Sequence, residues 1–138
     1  MKRGEFAQCM HLQHAVRSDF IAAPYLMRGR AEQTLEWVDP ITGIRCKGRT
    51  DWIGSALVDL KTTKNASPDG FAREAWNYGY ATQLAFYSDG LVSCGEPSRP
   101  VVIIAVEAAP PHPVVVYRLT DDMLEQITGQ LAPRARHL

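Results

Sequence analysis

Residues 48–65, GRTDWIGSALVDLKTTKN, place two carboxylates and an ammonium, Asp51, Asp59 and Lys61, inside what otherwise reads as two apolar strands, 44–53 and 56–62, folded back on each other at Gly54 and Ser55. Side chains alternate along a strand, so Asp59 and Lys61 share one face while Val58 and Leu60 point to the other, into a core. Whether Asp51 joins Asp59 depends on the connection. With Gly54-Ser55-Ala56 as a three-residue loop closing between Ile53 and Leu57, Asp51 lies opposite Asp59 and Arg49 opposite Lys61. A two-residue Gly54-Ser55 turn puts Asp51 on the other face unless a bulge intervenes. Convergence is the expected arrangement, and carboxylates ~5 Å apart across a hairpin repel unless something positive sits between them.

A divalent cation meets that need. Carboxylate oxygens suit Mg²⁺ or Mn²⁺, whose octahedral shell commonly takes one or two carboxylates and is completed by water and by phosphate oxygens of a substrate. Lys61, one pleat beyond Asp59, then stands beside a water of that shell, where it can hold or deprotonate the nucleophile. Such a set is suited to hydrolysing a phosphodiester. The bland reading of the same residues is a cross-strand set of ion pairs among Arg49, Asp51, Asp59 and Lys61, contributing less than ~1 kcal/mol if exposed.

The rest of the chain frames this hairpin. Phe6, Met10, Leu12, Val16 and Phe20 recur at helical spacing, and Pro24 limits that helix or a short successor. From Ala31 the period becomes two, with Leu35 and Trp37 on one face and Glu32, Thr34 and Glu36 on the other, and VDPITGI supplies a turn into the charged hairpin. Ser67, Pro68 and Asp69 read as the start of a helix running to about Ser88. Trp76, Tyr80, Gln83 and Tyr87 form one stripe along it, with Gly79 weakening the middle and Gly90 able to end it. Two strands rich in β-branched residues come next at 101–106 and 114–119, and Thr120 caps a last helix ending before Pro133. The order predicts an α/β sandwich around a mixed sheet, a single domain over 1–138 with an N-terminal helical segment 1–30, a core 31–119 and a C-terminal helix and tail 120–138.

The 15 Lys and Arg balance the 15 Asp and Glu, so no net charge draws the chain toward nucleic acid. Locally, Arg28, Arg30, Arg45, Lys47, Arg49, Lys61 and Lys64 gather around the charged hairpin, which a solvated mixed-charge surface also explains. No apolar run approaches the ~20 residues of a membrane span, and no apolar stretch comes after Lys2 and Arg3, so a soluble, cytoplasmic protein is expected. Cys9, Cys46 and Cys94 are odd in number and lack CxxC spacing, which favours free thiols over a disulfide frame or a zinc knuckle.

Three segments, AEQTLEWVDPITGIRCKGRTDWI, LVDLKTTKNASPDGFAREAWNYGYATQLAFY and VVIIAVEAAPPHPVVVYRL, resemble consecutive blocks of the PD-(D/E)XK nuclease superfamily. Within it they resemble the RecE-type (exonuclease VIII-like) exonucleases of phages and prophages, and they cover nearly everything from Ala31 to Leu119. The resemblance implies a restriction-endonuclease-like α/β fold, a mixed central sheet flanked by helices. It also implies a Mg²⁺-dependent (or Mn²⁺-dependent) exodeoxyribonuclease that degrades duplex DNA in phage-type recombination beside a single-strand annealing recombinase. Homo-oligomeric rings occur among such exonucleases. By the same resemblance, Asp51 and Asp59 form the metal site with the Leu60 carbonyl as a further ligand, Lys61 is catalytic, and Gln83 with Tyr87 is the downstream motif. Glu32, in AEQT, matches the acidic residue at the start of the first core strand, and Glu36 falls where the family has an apolar residue. Arg28, Arg45, Lys47, Arg49 and Lys64 would hold phosphates rather than read bases. The family's metal-binding histidine lies on a GxxxH-like helix upstream of the first core strand, and the chain is expected to begin after it. His11 and His14 fall in a stretch that resembles the segment just beyond that helix. The alternative function is a nuclease-fold remnant that binds DNA or protein without chemistry.

Overall fold

The computed structural model describes residues 3–120. Helix α1 (Arg3–Ser18) and a short 3-10 turn (Ala23–Leu26) precede strands β1 (Gly29–Val38), β2 (Arg45–Gly54) and β3 (Leu57–Thr63). Helices α2 (Pro68–Tyr78) and α3 (Tyr80–Ser93) then lead to β4 (Val101–Glu107) and β5 (Val114–Leu119). The five strands form one sheet in the order β1-β2-β3-β4-β5. All neighbours are antiparallel except β3 and β4, which run parallel from Leu57↔Val101 to Thr63↔Glu107 because the chain returns through α2 and α3. The predicted last helix, within 120–138, lies outside the described residues.

The sheet is coated on both sides. Leu35, Ile53, Leu57 and Ile103 pack under Phe71, Leu84 and Leu91 of α2 and α3. Val58, Val102, Ile104 and Val106 pack under Val16 of α1 and Ala22 beyond it. Strand β4 is therefore buried on both faces, which is why it reads as the continuous apolar run VVIIAV rather than an alternation.

Two features of the helices depart from the expected single helix. Gly79 takes φ 66°, ψ 35°, its N–H reaches back to the Ala75 and Trp76 carbonyls, and the chain starts a new helix at Tyr80. The stripe is thereby broken: Trp76 is 86% exposed, while Tyr80 turns in toward the sheet. Gly90 does not end α3 but lies inside it under the Trp37 ring, where a Cβ would stand 2.6 Å from the ring.

Strands β1 and β2 pair on one register throughout, but Glu32 and Asp51 are unpaired within it. Gly48 faces Tyr87 of α3, and Ile53 also packs in the α2–α3 core, although five positions separate them and strict alternation would send them to opposite faces. The alternation slips at Asp51, opposite Glu32, whose φ of 51° is left-handed. This slip re-aims the Asp51 side chain toward β3.

Candidate active site

The β2–β3 connection closes as the three-residue loop, with Ile53↔Leu57 and Trp52↔Val58 paired and the Gly54 N–H bonded to the Ala56 carbonyl at 3.0 Å. The two strands then fork. Beyond Trp52 the ladder stops, and the Asp51 carboxylate accepts a hydrogen bond from the Leu60 N–H at 2.7 Å. A strand residue's N–H and C=O point to the same edge, so the Leu60 carbonyl is also directed into the fork.

Asp59 and Lys61 extend to the α2–α3 side of the fork, Lys61 Nζ standing 3.1 Å from Asp59 Oδ2 and 4.3 Å from the centre of the Tyr80 ring. Asp59 is buried, and its Oδ2 is paired with the Lys61 ammonium at 3.1 Å and takes no other hydrogen bond among the described residues. Burial pushes the Asp59 carboxyl up to about 6, with the Lys61 charge opposing the rise and the nearby Asp51 charge adding to it. The two carboxyl groups thus converge. Tyr80 is held in turn by Glu74: its hydroxyl donates to Glu74 Oε2 at 3.4 Å, and Thr63 Oγ1 lies 3.1 Å from Glu74 Oε1. Desolvation first, then the Glu74 charge, raises the Tyr80 hydroxyl above its ordinary pKa, so at neutral pH it remains a donor to Glu74.

This chemistry suits a hard divalent cation. A buried carboxylate paired only with Lys61, a second carboxylate beside it and a main-chain carbonyl aimed into the same gap are all oxygen ligands. Among the described residues no third His, Cys, Asp or Glu joins them in a cluster.

The other predicted site residues are spread more widely. Glu32 lines the groove beside Asp51 and pairs with Arg49 at 3.0 Å. Gln83 Nε2 donates to the Tyr87 hydroxyl at 3.1 Å, and Tyr87 lies over Gly48 in β2; neither is bonded to Asp51, Asp59 or Lys61. The aromatic that touches Lys61 is instead Tyr80, visible in the sequence only as part of the stripe. Lys47 stands 3.8 Å from Glu36, and Arg45 pairs opposite Val38 at the far end of β2, about 20 Å from Asp51 at the rise of a strand. Arg28 and Lys64 are exposed. The expected burial of Leu60 is corrected: Val58 is 1% exposed beneath α1, but Leu60, on the same face, is 42% exposed because it borders an open groove. His11 stacks on His112 with centroids 6.2 Å apart, and His14 Nε2 lies 3.4 Å from Ser18 Oγ, so both rings lie off the groove lined by Cys9, Gln13 and Arg17 of the same helix. Cys9, Gln13 and Arg17, at i, i+4 and i+8, line the groove together from one face of α1.

A mixed sheet flanked by helices, forked where one strand carries Asp51 and the next carries Asp59-Leu60-Lys61, defines a PD-(D/E)XK-type, restriction-endonuclease-like domain. The chain belongs to the family of PDDEXK-like domains of unknown function, DUF3799, whose model matches residues 1–138. No curated protein sequence matches it. Among solved structures, a "putative exonuclease" from Eubacterium rectale is similar, with a TM-score of 0.74 and 19% identity over 98% of this chain and 54% of that one. The chain thus spans about half the length of that protein, and the likeness is one of fold. The structure of SSO0001 aligns with a TM-score of 0.47 and 15% identity over 96% of this chain and 60% of that one.

Among the described residues, no helix is long and apolar enough to cross a membrane.

Proposed function

We propose that this domain is a Mg²⁺- or Mn²⁺-dependent exodeoxyribonuclease of RecE type that hydrolyses phosphodiester bonds of DNA, with Asp51, Asp59, the Leu60 carbonyl and Lys61 as its working groups. The observation that carries this reading is the fork, where the Asp51 carboxylate takes the Leu60 amide and the buried Asp59 carboxyl is paired with Lys61 alone. A bound divalent cation supplies Lewis acidity and charge neutralisation to a phosphodiester.

The chain's own residues do the rest. Asp51 is fixed by the Leu60 N–H through one oxygen, which leaves the other to bind. Lys61, held by Asp59 and the face of Tyr80, is positioned to orient an attacking water or take up its proton. Glu32, a carboxylate at the rim of the fork, and the Gln83–Tyr87 pair, flanking it over β2, belong to the same reading as supporting groups. Arg28, Arg45, Lys47, Arg49 and Lys64 would extend an electrostatic track along the DNA. A single-strand annealing recombinase as partner, a ring-shaped homo-oligomer, a role in prophage recombination and a cytoplasmic location are parts of this proposal that rest on the RecE resemblance.

The test is incubation of purified protein with linear and circular duplex DNA in Mg²⁺ or EDTA. The expected result is loss of the linear DNA alone, only with Mg²⁺, and only while Asp59 and Lys61 are intact. Cleavage of both topologies would make the enzyme an endonuclease, and cleavage by Asp59→Ala would remove the site assignment.

A further inference from the structure

Helix α2 turns its largest side chain to solvent. Trp76 is 86% exposed and Tyr78 74%, although an aromatic side chain buries about 150–250 Å² when it packs. The backbone builds this exposure in. Gly79 ends α2 in the left-handed region and a new helix begins at Tyr80, so Tyr80 turns to the sheet while Trp76 stays outside. Had one helix run through, the two would share a face.

The exposed rings are not remote from the fork. Tyr78 stacks on Tyr80 with centroids 6.0 Å apart and planes 18° from parallel, and the Tyr80 ring centre lies 4.3 Å from Lys61 Nζ. The Tyr78 ring is therefore within about 10 Å of the ammonium, about three base steps of a nucleic acid strand. An aromatic column leads from the candidate active site to solvent, and its outermost ring is left open to a flat ligand.

Charge on this side suits an anionic polymer. Arg73, one turn before Trp76 on the same side of α2, is exposed and pairs with no carboxylate among the described residues. Lys64, just beyond β3, is exposed as well. Of the two acids of α2, Asp69 lies back in the first turn and Glu74 is taken up by the Tyr80 hydroxyl and Thr63. Stacked rings flanked by cations are the surface on which an unpaired nucleic acid strand is held, base on ring and phosphate on cation.

We infer that Tyr78 and Trp76 form a stacking platform for an unpaired nucleobase of the substrate on the α2–α3 side of the fork, with Arg73 on the adjoining phosphate. The inference rests on the nuclease reading for the class of polymer, but it concerns rings that line neither the α1 groove nor the carboxylates. Both are binding residues and take no part in bond breaking. Every base has a π-face, so the platform is indifferent to sequence.

The test measures stacking apart from cleavage, in EDTA, with single-stranded oligonucleotides carrying a fluorescent adenine analogue whose emission is quenched by stacking. Emission is expected to fall on binding. Tyr78→Leu and Trp76→Leu should each weaken binding at least about fivefold and relieve the quenching. The slope of log affinity against log salt should not change in either, because a ring neutralises no phosphate. Trp76→Phe should recover part of the affinity. Arg73→Ala is expected to flatten that slope by roughly 0.7, the contribution of one phosphate contact on a single strand. A fully paired duplex of the same sequence should bind wild type and the two Leu variants alike. All three positions are exposed, so unchanged thermal melting will show that the variants fold.

Leu variants that bind the single strand like wild type, or that lose duplex and single strand equally, overturn the inference even if DNA is degraded. Ring-dependent binding and quenching by a protein that cleaves nothing supports it while removing the nuclease reading.

Discussion

The Asp51 carboxylate accepts the Leu60 amide at 2.7 Å, so a side chain occupies the place where the β2 backbone would otherwise continue the ladder with β3. This one bond joins the fork in the sheet to the carboxyl groups beside it. It holds one acidic group in the plane of the sheet, turns the Leu60 carbonyl into the gap and brings Asp51 against the buried Asp59.

Asp59 makes the metal-free protein sensitive to pH. Its carboxyl titrates at about 6 when folded, against 3.8 unperturbed, so between these values the folded chain keeps a proton that the unfolded chain has lost. The stability due to neutral Asp59 is full below the unfolded pKa and is lost as pH rises through about 6. The difference is on the order of 3 kcal/mol by pH ~7. Asp51, Lys61 and Tyr80 are the charged or titratable groups facing it. Urea unfolding in EDTA from about pH 4.5 to about pH 7.5 should show wild type losing stability relative to Asp59→Asn across this window, and Mn²⁺ should reverse the loss. Parallel curves for the two proteins would exclude a raised Asp59.

Leu57 and Leu60 should respond oppositely to truncation. Leu57 is 1% exposed and Leu60 42%, so Leu57→Ala is expected to cost about 2–5 kcal/mol and Leu60→Ala less than about 1 kcal/mol. Denaturant midpoints at constant slope give both. Comparable losses at the two sites would mean that the groove is closed in solution.

Tyr80 should act on the reaction through Lys61. Tyr80→Phe keeps the ring under the ammonium and loses only the Glu74 hydrogen bond, so cleavage should stay within a few-fold of wild type. Tyr80→Leu removes the ring and should lower kcat roughly tenfold, in line with the loss of a cation–π contact and of Lys61 placement. Phe and Leu variants with equal kcat would show that the ring does not position Lys61.

Gly48 and Tyr87 should be coupled. A Cβ at residue 48 would stand 2.5 Å from the Tyr87 ring, so Gly48→Ala is expected to cost about 1–3 kcal/mol. In a Tyr87→Ala background the same change should cost much less, a non-additivity that thermal unfolding of the four proteins measures. Additive losses would place the strain elsewhere.

The parts of this structure that were legible in the sequence are those fixed by neighbours in the chain. The three-residue loop at Gly54-Ser55-Ala56 sets the Ile53–Leu57 and Trp52–Val58 register because turn length is a local rule, but the ladder stops there, and the slip that turns Asp51 toward the Leu60 amide was not readable. The same rules assign Leu60 to the α1 face but do not say how far α1 covers that face, so its exposure was not readable. The stripe from Trp76 to Tyr87 assumed one continuous helix. Gly79 can extend a helix or end it in the left-handed region, and here tertiary packing favours the ending, which delivers Tyr80 rather than Gln83 to Lys61. The reversal at Glu32, a non-glycine residue at positive φ, had no local signal at all.

The acidic pair and the lysine all lie in one short hairpin, whereas the groove is walled by α1 and the lysine is backed by α3, from distant parts of the chain. Reactivity and fit are therefore separable characters under mutation. On the proposed function, substitutions scattered over the helices would retune what the groove accepts without disturbing the hairpin, while a single insertion in its loop would abolish the chemistry and spare the scaffold. A lineage descending from such a domain has many routes to a new preference and few to a new reaction.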